Sequence, residues 1–396
     1  MKSSKKLPPI RNKLLYHSAT TLARMIRTRK AAILDARYVD RMIMTGAKSE
    51  EELETETPFL GVPFSVKGSI AVKGLKHSAG EQRFEGRRSQ DDADSVKLLR
   101  AAGAIPLVVT ATPELCMSVE TFNKIIGTTN NPYDLRRTPS GSSGGEAALI
   151  SSAGSIIGIG SDIAGSLRIP AAFTGIFSHK ATPGMVNVSG HNPTSPDENW
   201  DRYFTIGPMA RYSEDLKKMV RVLVGKNADR LRLNEKINMK NIKFYYMEDD
   251  GGCVVTERVN PEIKGAIQKL PWKIILRDML KFYMCMSEYS FPPLQYALLK
   301  RMSVWISESK MQRIREKMAT VKQEFNDLLG EDGVFLYPTF VDTAHFHKEL
   351  YFKLFSINYT MIMNALEVPV TNCPIGMSKK GLPIGIQVTF FKEIHV

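Results

Sequence analysis

One stretch of small residues, Thr138 to Pro170, limits more than any other what this chain can fold into. It reads TPSGSSGGEAALISSAGSIIGIGSDIAGSLRIP and contains two clusters of serine and glycine separated by a short interval. Between the clusters, the small residues from Glu146 to Ala153 predict a short helix that ends before Gly154. SIIGIGS then predicts a strand, and IPAAFTG predicts a helical turn. The two clusters are therefore expected to lie at the ends of short, closely packed elements.

The same alternation of helix and strand occurs on both sides of this stretch. DDADSVKLLRAAGA predicts a helix with acidic residues in its first turn, ended by Gly103, and IPLVVT behind it predicts a buried strand. Residues 16 to 45 carry a helical pattern, and GVPFSVKGSIAV predicts a strand that leads into a loop. GVFLYPTF, LEVPVTNCPIG and GLPIGIQVTF predict three late strands. This pattern indicates an α/β fold with one sheet built from both ends of the chain.

Composition excludes several classes of protein. The formal net charge is +13, which invites a nucleic-acid or anionic-membrane partner. The basic residues are scattered, however, and form no nucleic-acid-binding motif, so we expect a solvated basic surface and no nucleic acid. The four cysteines lie far apart and indicate neither a zinc site nor a disulfide framework; they are Cys116, Cys253, Cys285 and Cys373.

The chain shows no secretory signal peptide and no apolar run of the roughly 18 residues that a membrane span needs. We therefore predict a protein that is cytoplasmic or peripheral to an intracellular membrane. Residues 271 to 306 are rich in aromatic residues and methionine, with lysine and arginine interspersed. They predict either amphipathic helices packed on the core, or an apolar cap that covers a lipid-like substrate or touches a membrane.

The serine and glycine clusters allow three chemical interpretations. A phosphate-binding P-loop is excluded, because Glu146 stands where the lysine would be. GSSGG matches the G-x-S-x-G nucleophile elbow with Ser143 as nucleophile, but the segment before it is polar and the motif needs a histidine partner. The histidines available are His179, His191, His345, His347 and His395.

The third interpretation uses a lysine in place of the histidine. A serine hydroxyl becomes a good nucleophile when a base takes its proton, and a lysine can be that base if burial keeps it neutral. Lys67, in GVPFSVKGS, follows a strand-like run of apolar and small residues. The alternative is a lysine on an edge strand with its amine in water.

Three segments together resemble the amidase signature family, in the order and spacing of that family. They are GVPFSVKGS, TPSGSSGGEAALISSAGSIIGIGSDIAGSLRIPAAFTGIFSHKATPG and GLPIGIQ. TPELCM, TNNPYDLRRTPSGSSGGE and SGHNPTSPDENWDRYFTIGPMAR further resemble its fatty-acid amide hydrolase type 2 branch. The resemblance implies an α/β/α sandwich with a large mixed β-sheet flanked by helices.

The resemblance also implies one amidase domain over residues 1–396. Its signature core would span about 58–222, a compressed variable segment about 223–333, and a C-terminal sheet segment 334–396. Compared with the family pattern, the chain is shorter in the first helical region, in the middle and in the C-terminal segment, which we interpret as truncated.

Carried over by position, the resemblance implies that Ser166 is the nucleophile, that Ser142 is a bridging serine held by a cis peptide, and that Lys67 is the base. The oxyanion hole would be formed by the backbone amides of Ile163, Ala164, Gly165 and Ser166. Ala164 stands at a position where the family usually has glycine. Supporting roles fall to Ser143, Asp162 and Arg168, of which the last two either hold the turn or form a surface ion pair.

The expected function is hydrolysis of carboxylic amides, most specifically those of fatty acids, through an acyl-enzyme and without a metal or organic cofactor. The partner would be a small, lipid-like amide, and peripheral membrane contact and a homodimer stay open. Two alternatives also stay open. One is an inactive or truncated relative of the amidases, and the other is an esterase of the α/β-hydrolase type that uses Ser143.

Overall fold

A computed structural model describes residues 29–196, 200–231, 233, 241–247 and 307–390 of the chain. In this part of the chain, strands and helices alternate as the sequence predicts. The strands are β1 (Pro63–Lys67), β2 (Ile105–Thr110), β3 (Phe122–Asn123), β4 (Gly127–Thr128), β5 (Ile157–Asp162), β6 (Phe177–Lys180), β7 (Thr205–Ala210), β8 (Lys243–Tyr246), β9 (Gly333–Pro338), β10 (Val370–Met377) and β11 (Pro383–Phe390).

The α-helices are α1 (Arg29–Thr45), α2 (Glu50–Glu56), α3 (Asp94–Ala101), α4 (Gly144–Ser151), α5 (Arg168–Thr174), α6 (Trp200–Tyr203), α7 (Ser213–Leu223), α8 (Glu308–Leu329) and α9 (Asn358–Ala365). Short 3₁₀ helices occupy Gln82–Phe84, Glu114–Cys116, Gly225–Arg230 and Glu349–Ile357.

Among the described residues, nine strands form one mixed sheet in the order β2-β1-β5-β7-β6-β10-β11-β9-β8. β1 pairs in parallel with β2 and β5, whereas β7 pairs antiparallel with both β5 and β6. β10 pairs antiparallel with β6, and β11 pairs antiparallel with β10 and β9. Early and late strands therefore share one sheet, which confirms the expected fold class.

At β7, helices pack on the two faces of the sheet through different apolar clusters. In β7, Ile206 and Ala210 join a cluster that contains the buried residues of α3 and α7, and Met209 joins another that contains residues of α4 and α5. Successive side chains of a strand point to opposite faces, so the two clusters lie on opposite sides of the sheet. The expected arrangement of a large sheet flanked by helices is confirmed.

The helix α7 shows why these residues form a surface helix. Its buried side chains are Leu216, Met219, Val220 and Leu223, which follow the three- and four-residue spacing of one helical face. Each side chain of this size contributes about 1.5–3 kcal/mol on burial. Glu214 and Asp215 lie in its first turn, where negative charge stabilises a helix.

The boundaries of the elements agree closely with the predictions. The helix before Gly103, the strand IPLVVT and the three late strands are confirmed. The helix predicted from Glu146 begins two residues earlier, because the paired glycines before Glu146 already have helical backbone. The apolar segment 271–306 and most of the compressed middle lie outside the described residues. None of the helices within the described ranges is long and apolar enough to cross a membrane.

Candidate active site

Lys67 ends the strand β1 on the face of the sheet where α4 packs. Phe64 and Val66 point to the cluster under α3 and α7, so Ser65 and Lys67 point the other way. Lys67 is fully buried, and its Nζ lies 2.7 Å from Ser142 Oγ. Burial disfavours the ammonium form and lowers the pKa of Lys67. The alternative of an edge-strand lysine is wrong, since β1 lies between β2 and β5.

Hydrogen bonds join the first serine cluster to the second. The peptide bond between Gly141 and Ser142 is cis, as the resemblance implied. The Ser143 N–H donates to the Ser166 carbonyl at 3.2 Å, and Ser143 Oγ donates to the Ser161 carbonyl at 3.4 Å. The two clusters are therefore in contact and form one candidate site.

The setting of Ser143 differs from that of a G-x-S-x-G nucleophile. Its hydroxyl is committed to the Ser161 carbonyl, and it is fully buried. The residues directly before Gly141 form turns and isolated bridges, whereas a nucleophile elbow requires a strand there.

Glycine at position 158 lets α4 come close to the sheet. A Cβ there would lie 1.8 Å from Glu146 Oε1, so no larger residue fits without moving the helix. The Glu146 carboxylate accepts hydrogen bonds from Ser65 Oγ and, at 2.7 Å, from Thr110 Oγ1. Burial raises the pKa of Glu146 to about 7. Glu146, whose acidic side chain argued against a P-loop, thus holds α4 to β1 and β2.

The turn before Ser166 is held by a buried ion pair. Asp162 accepts from the N–H groups of Gly165 and Leu167 at 2.8 and 3.0 Å, and from Arg168 Nη2 at 2.9 Å. Burial alone would raise the pKa of Asp162, but Arg168 holds it well below its usual range. Both side chains are fully buried, so the alternative of a surface ion pair is wrong.

Arg168 also ties this turn to the C-terminal part of the chain. Its Nη1 donates to the Thr360 carbonyl and to Gln387 Oε1, both at 2.9 Å, and its Nη2 donates to Asn364 Oδ1. Asn364 in turn donates to Asp162 Oδ1 at 3.1 Å. The turn that carries Ser166 is therefore fixed by α9 and β11.

Gly165 is the position in this turn that requires glycine. Its φ is +118°, and a Cβ would lie 2.1 Å from Thr360 Oγ1. Ala164 has no positive φ, so alanine is compatible with the backbone at the position where the family usually has glycine. The expected oxyanion hole needs one correction. The Gly165 N–H is already donated to Asp162, so only the amides of Ile163, Ala164 and Ser166 stay candidates among the four expected donors.

Three residues near Lys67 were not predicted from the sequence. Ser161 Oγ lies 2.9 Å from Lys67 Nζ and 3.0 Å from His191 Nε2. Cys116 contacts both Lys67 and His191 and lies 3.4 Å from Thr112 Oγ1. His191 was considered only as a partner for Ser143. The residues that contact His191 are distant from it in sequence. The one local pattern that could have indicated this cluster is the polar Ser161 inside an apolar strand.

Cys116 and Lys67 influence each other's protonation. Burial would raise the pKa of the Cys116 thiol, but Lys67 and His191 together lower it to about 5. Cys116 in turn raises the pKa of Lys67, but burial has the larger effect, so the pKa of Lys67 stays lowered. Groups this close titrate as a pair.

The sequence is similar to a known protein family and to individual proteins of two vertebrates. The model of a family described as Amidase matches residues 21–273. "Fatty-acid amide hydrolase 2" from Homo sapiens is 34% identical over an alignment that covers 98% of this chain and 88% of that protein. "Fatty-acid amide hydrolase 2-A" from Danio rerio is 35% identical, with 97% and 87% covered.

Solved structures share the fold. A structure described as "Crystal structure of amidase" superposes with a TM-score of 0.70 at 20% identity, covering 96% of this chain and 91% of that one. "Fatty acid amide hydrolase" also has a TM-score of 0.70 at 20% identity, with 91% and 74% covered.

Proposed function

This chain belongs to the amidase family, and on that premise we propose that it hydrolyses carboxylic amides with Ser166 as nucleophile, Ser142 as proton bridge and Lys67 as base. Membership in the family confirms the resemblance seen in the sequence and identifies the chain as an amidohydrolase. The observation that carries the proposed roles is the buried Lys67 amine, 2.7 Å from the hydroxyl of Ser142, in a cluster bonded to the backbone of Ser166.

The acylation step needs a path for one proton. As Ser166 Oγ attacks the amide carbon, its proton passes to Ser142 Oγ, and the Ser142 proton passes to neutral Lys67. Burial of Lys67 supports this step, because it lowers the pKa of the amine. The carbonyl oxygen becomes an oxyanion, for which the N–H groups of Ile163, Ala164 and Ser166 are the proposed donors.

The same path then runs in reverse. Lys67 returns a proton through Ser142 to the leaving nitrogen, the carbon–nitrogen bond breaks, and the amine departs. Water attacks the acyl-enzyme while Lys67 again accepts a proton through Ser142. The bond between the acyl carbon and Ser166 Oγ then breaks as Lys67 returns that proton through Ser142 to Ser166 Oγ. The products are a carboxylic acid and the amine, and the enzyme regains its starting protonation.

We propose a fatty-acid amide as the substrate. The support is that two relatives that align with nearly the whole chain are described as fatty-acid amide hydrolases. "Acetamidase" from Aspergillus oryzae is 32% identical over 56% of this chain, which makes a short-chain amide the natural comparison. The proposal expects a higher kcat/KM for a long-chain fatty-acid amide than for acetamide, and the reverse order would contradict it.

Three further properties stay predictions from the sequence. They are contact with a membrane surface, a location in the cytoplasm or at an intracellular membrane, and a homodimer. Vesicle flotation and analytical ultracentrifugation of the purified protein test the contact and the dimer, and cell fractionation tests the location.

A fluorophosphonate probe tests the catalytic roles, because an activated serine oxygen displaces its fluoride. We expect wild type to be labelled at Ser166, Ser166→Ala to take no label, and Lys67→Ala to lose roughly 10²–10⁴-fold in rate, as expected for loss of a general base. Ser213→Ala, on the exposed start of α7, is the matched control and should label normally.

Mapping the label by mass spectrometry separates the alternatives. A label on Ser143 would support the esterase. Folded wild type that takes no label would support an inactive relative. An effect of Lys67→Ala confined to KM would contradict its role as base.

A further inference from the structure

Lys67 can serve as a base only if its lone pair faces Ser142. A neutral amine has one lone pair and two hydrogens, and Lys67 Nζ has two hydroxyl neighbours at nearly equal distance. They are Ser142 Oγ at 2.7 Å and Ser161 Oγ at 2.9 Å. If Ser161 donated its hydrogen to the amine, the lone pair would be occupied and Ser142 could not be deprotonated. The direction of the bond between Lys67 and Ser161 therefore matters.

The contacts of His191 decide that direction. Its Nδ1 lies 2.7 Å from the Pro193 carbonyl, which can only accept a hydrogen bond, so we assign the hydrogen of the neutral ring to Nδ1. Nε2 is then an acceptor, and it lies 3.0 Å from Ser161 Oγ. The Ser161 hydroxyl donates its single hydrogen to His191, and it offers Lys67 only lone pairs.

We infer that His191, acting through Ser161, is a positioning residue that turns the lone pair of Lys67 toward Ser142. The chain of hydrogen bonds runs in one direction, from Ser142 to Lys67, from Lys67 to Ser161 and from Ser161 to His191. The inference rests on the proposed role of Lys67 as the base.

The His191 ring is held firmly beside Lys67. It is 6% exposed, and its centroid lies 4.6 Å from that of Phe204. The neighbouring backbone docks on the segment that follows Lys67, because Asn192 N–H donates to the Ser69 carbonyl at 2.8 Å and Ala71 N–H donates to the Gly190 carbonyl at 3.0 Å. A ring fixed to the same segment as the lysine can hold Ser161 in one orientation.

Other titratable groups face this chain of bonds. Cys116 contacts Lys67 and His191, while Asp162 and Glu146 act on Lys67 through their charge. His77 lies near His191, and its Nε2 donates to the Ser69 carbonyl at 3.1 Å. Lys67 and Cys116 titrate as a pair, so in the state in which Lys67 is the neutral base the shared proton is on the Cys116 thiol. A thiol is a weaker donor than a hydroxyl, so in that state Ser161 is the donor to His191.

Two substitutions of His191 separate bonding from packing. In His191→Gln, the amide oxygen can accept from Ser161 and the amide nitrogen can donate to the Pro193 carbonyl. In His191→Leu, both bonds are lost. We expect His191→Gln to keep most of the activity, and His191→Leu to lose at least about tenfold in kcat, short of the roughly 10²–10⁴-fold loss for the base itself.

The pH profile gives a readout that loose packing would not move. Without His191, Ser161 no longer serves as a fixed acceptor for the lysine ammonium, so the neutral amine is favoured. The acid limb of kcat/KM should move to lower pH in His191→Leu while the plateau falls. His179→Gln, a buried histidine that contacts Thr371 instead, is the matched control and should leave the limb in place.

A double variant tests the direction of the bond itself. Adding Ser161→Ala to His191→Leu removes the hydroxyl that would compete for the lone pair, so the double variant should be more active than His191→Leu. A double variant no more active than the single one would overturn the inference. If His191→Leu does not fold, Ser161→Ala alone decides, and an unmoved acid limb in it would overturn the inference.

The outcomes also distinguish this inference from the proposed function. Wild type that neither labels at Ser166 nor hydrolyses amides would overturn both. Wild type that labels at Ser166, together with a folded His191→Leu of normal kcat and pH profile, would overturn only the role of His191. Equal losses in folded His191→Gln and His191→Leu would likewise overturn it.

Discussion

Cys116 is a half-buried thiol whose chemistry is set by its neighbours. Lys67 and His191 lower its pKa to about 5, whereas burial raises the pKa of Cys373 in β10 to about 11. The thiolate is the nucleophilic form, so the two cysteines should differ in reactivity at neutral pH.

We predict that iodoacetamide at pH 7 alkylates Cys116 well before Cys373, as measured by peptide mass spectrometry over time. Lys67→Met removes the amine that shares a proton with the Cys116 thiol, so it should slow alkylation of Cys116 while leaving that of Cys373 unchanged. Equal rates at the two cysteines in wild type would contradict the prediction.

At this scale the sequence predicted some site residues and missed others for a physical reason. Lys67 could be found because a lysine that ends an apolar strand is unusual in itself. The contacts among Ser161, His191 and Cys116 form only when the loop after β6 docks on the segment after β1. Local sequence patterns cannot predict such a long-range contact. The Gly165 N–H was misassigned because its bond to Asp162 depends on the folded turn.

Among the elements, α4 is joined to β1 and β2 by the Glu146 carboxyl. Burial raises its pKa from an ordinary value of 4.5 to about 7. Between these pH values the folded protein holds a proton that the unfolded chain has released. The free energy of unfolding therefore falls as pH rises through this window, and the contribution is constant above it.

We predict that Glu146→Gln removes this fall, which amounts to at most about 3 kcal/mol between pH 4.5 and 7. The comparison is urea unfolding of wild type and variant across that range. Glu324→Gln, on the exposed side of α8, is the control and should keep the slope of wild type. A Glu146→Gln profile parallel to that of wild type would contradict the prediction.

The elements themselves were largely predictable, because each has a local cause. The helix α3 has its acidic first turn and its glycine stop, and β2, β5 and β11 are short apolar runs between turn residues. The order of strands in the sheet was not predictable, since β10 pairs with β6 through contacts between residues nearly 200 positions apart. The register of such pairs depends on the packing of both faces.

At the scale of the whole molecule, Gln387 connects β11 to the candidate site. It accepts from Arg168 and donates to the carbonyls of Pro338 and Tyr359. Gln387→Leu would leave the buried Arg168 short of one partner, and an unpaired buried polar group costs about 1–3 kcal/mol.

We predict that Gln387→Leu lowers stability by roughly this amount and slows fluorophosphonate labelling of Ser166, although Gln387 is proposed for no catalytic role. Thermal unfolding and labelling rates are the measurements. Gln323→Leu on the exposed side of α8 is the control, with labelling like that of wild type. A folded Gln387→Leu that labels at the normal rate would show that Arg168 does not depend on this bond.

The reach of Arg168 to Thr360, Asn364 and Gln387 bears on how the protein is made. A nascent chain leaves the ribosome with Lys67, Ser142 and Ser166 long before these three partners have been translated. We therefore expect ribosome-bound chains that end before β11 to carry every proposed reacting group and still fail to take a fluorophosphonate label. Activity would then begin as β11 joins the sheet, so that an incompletely translated enzyme could not attack amides in its surroundings.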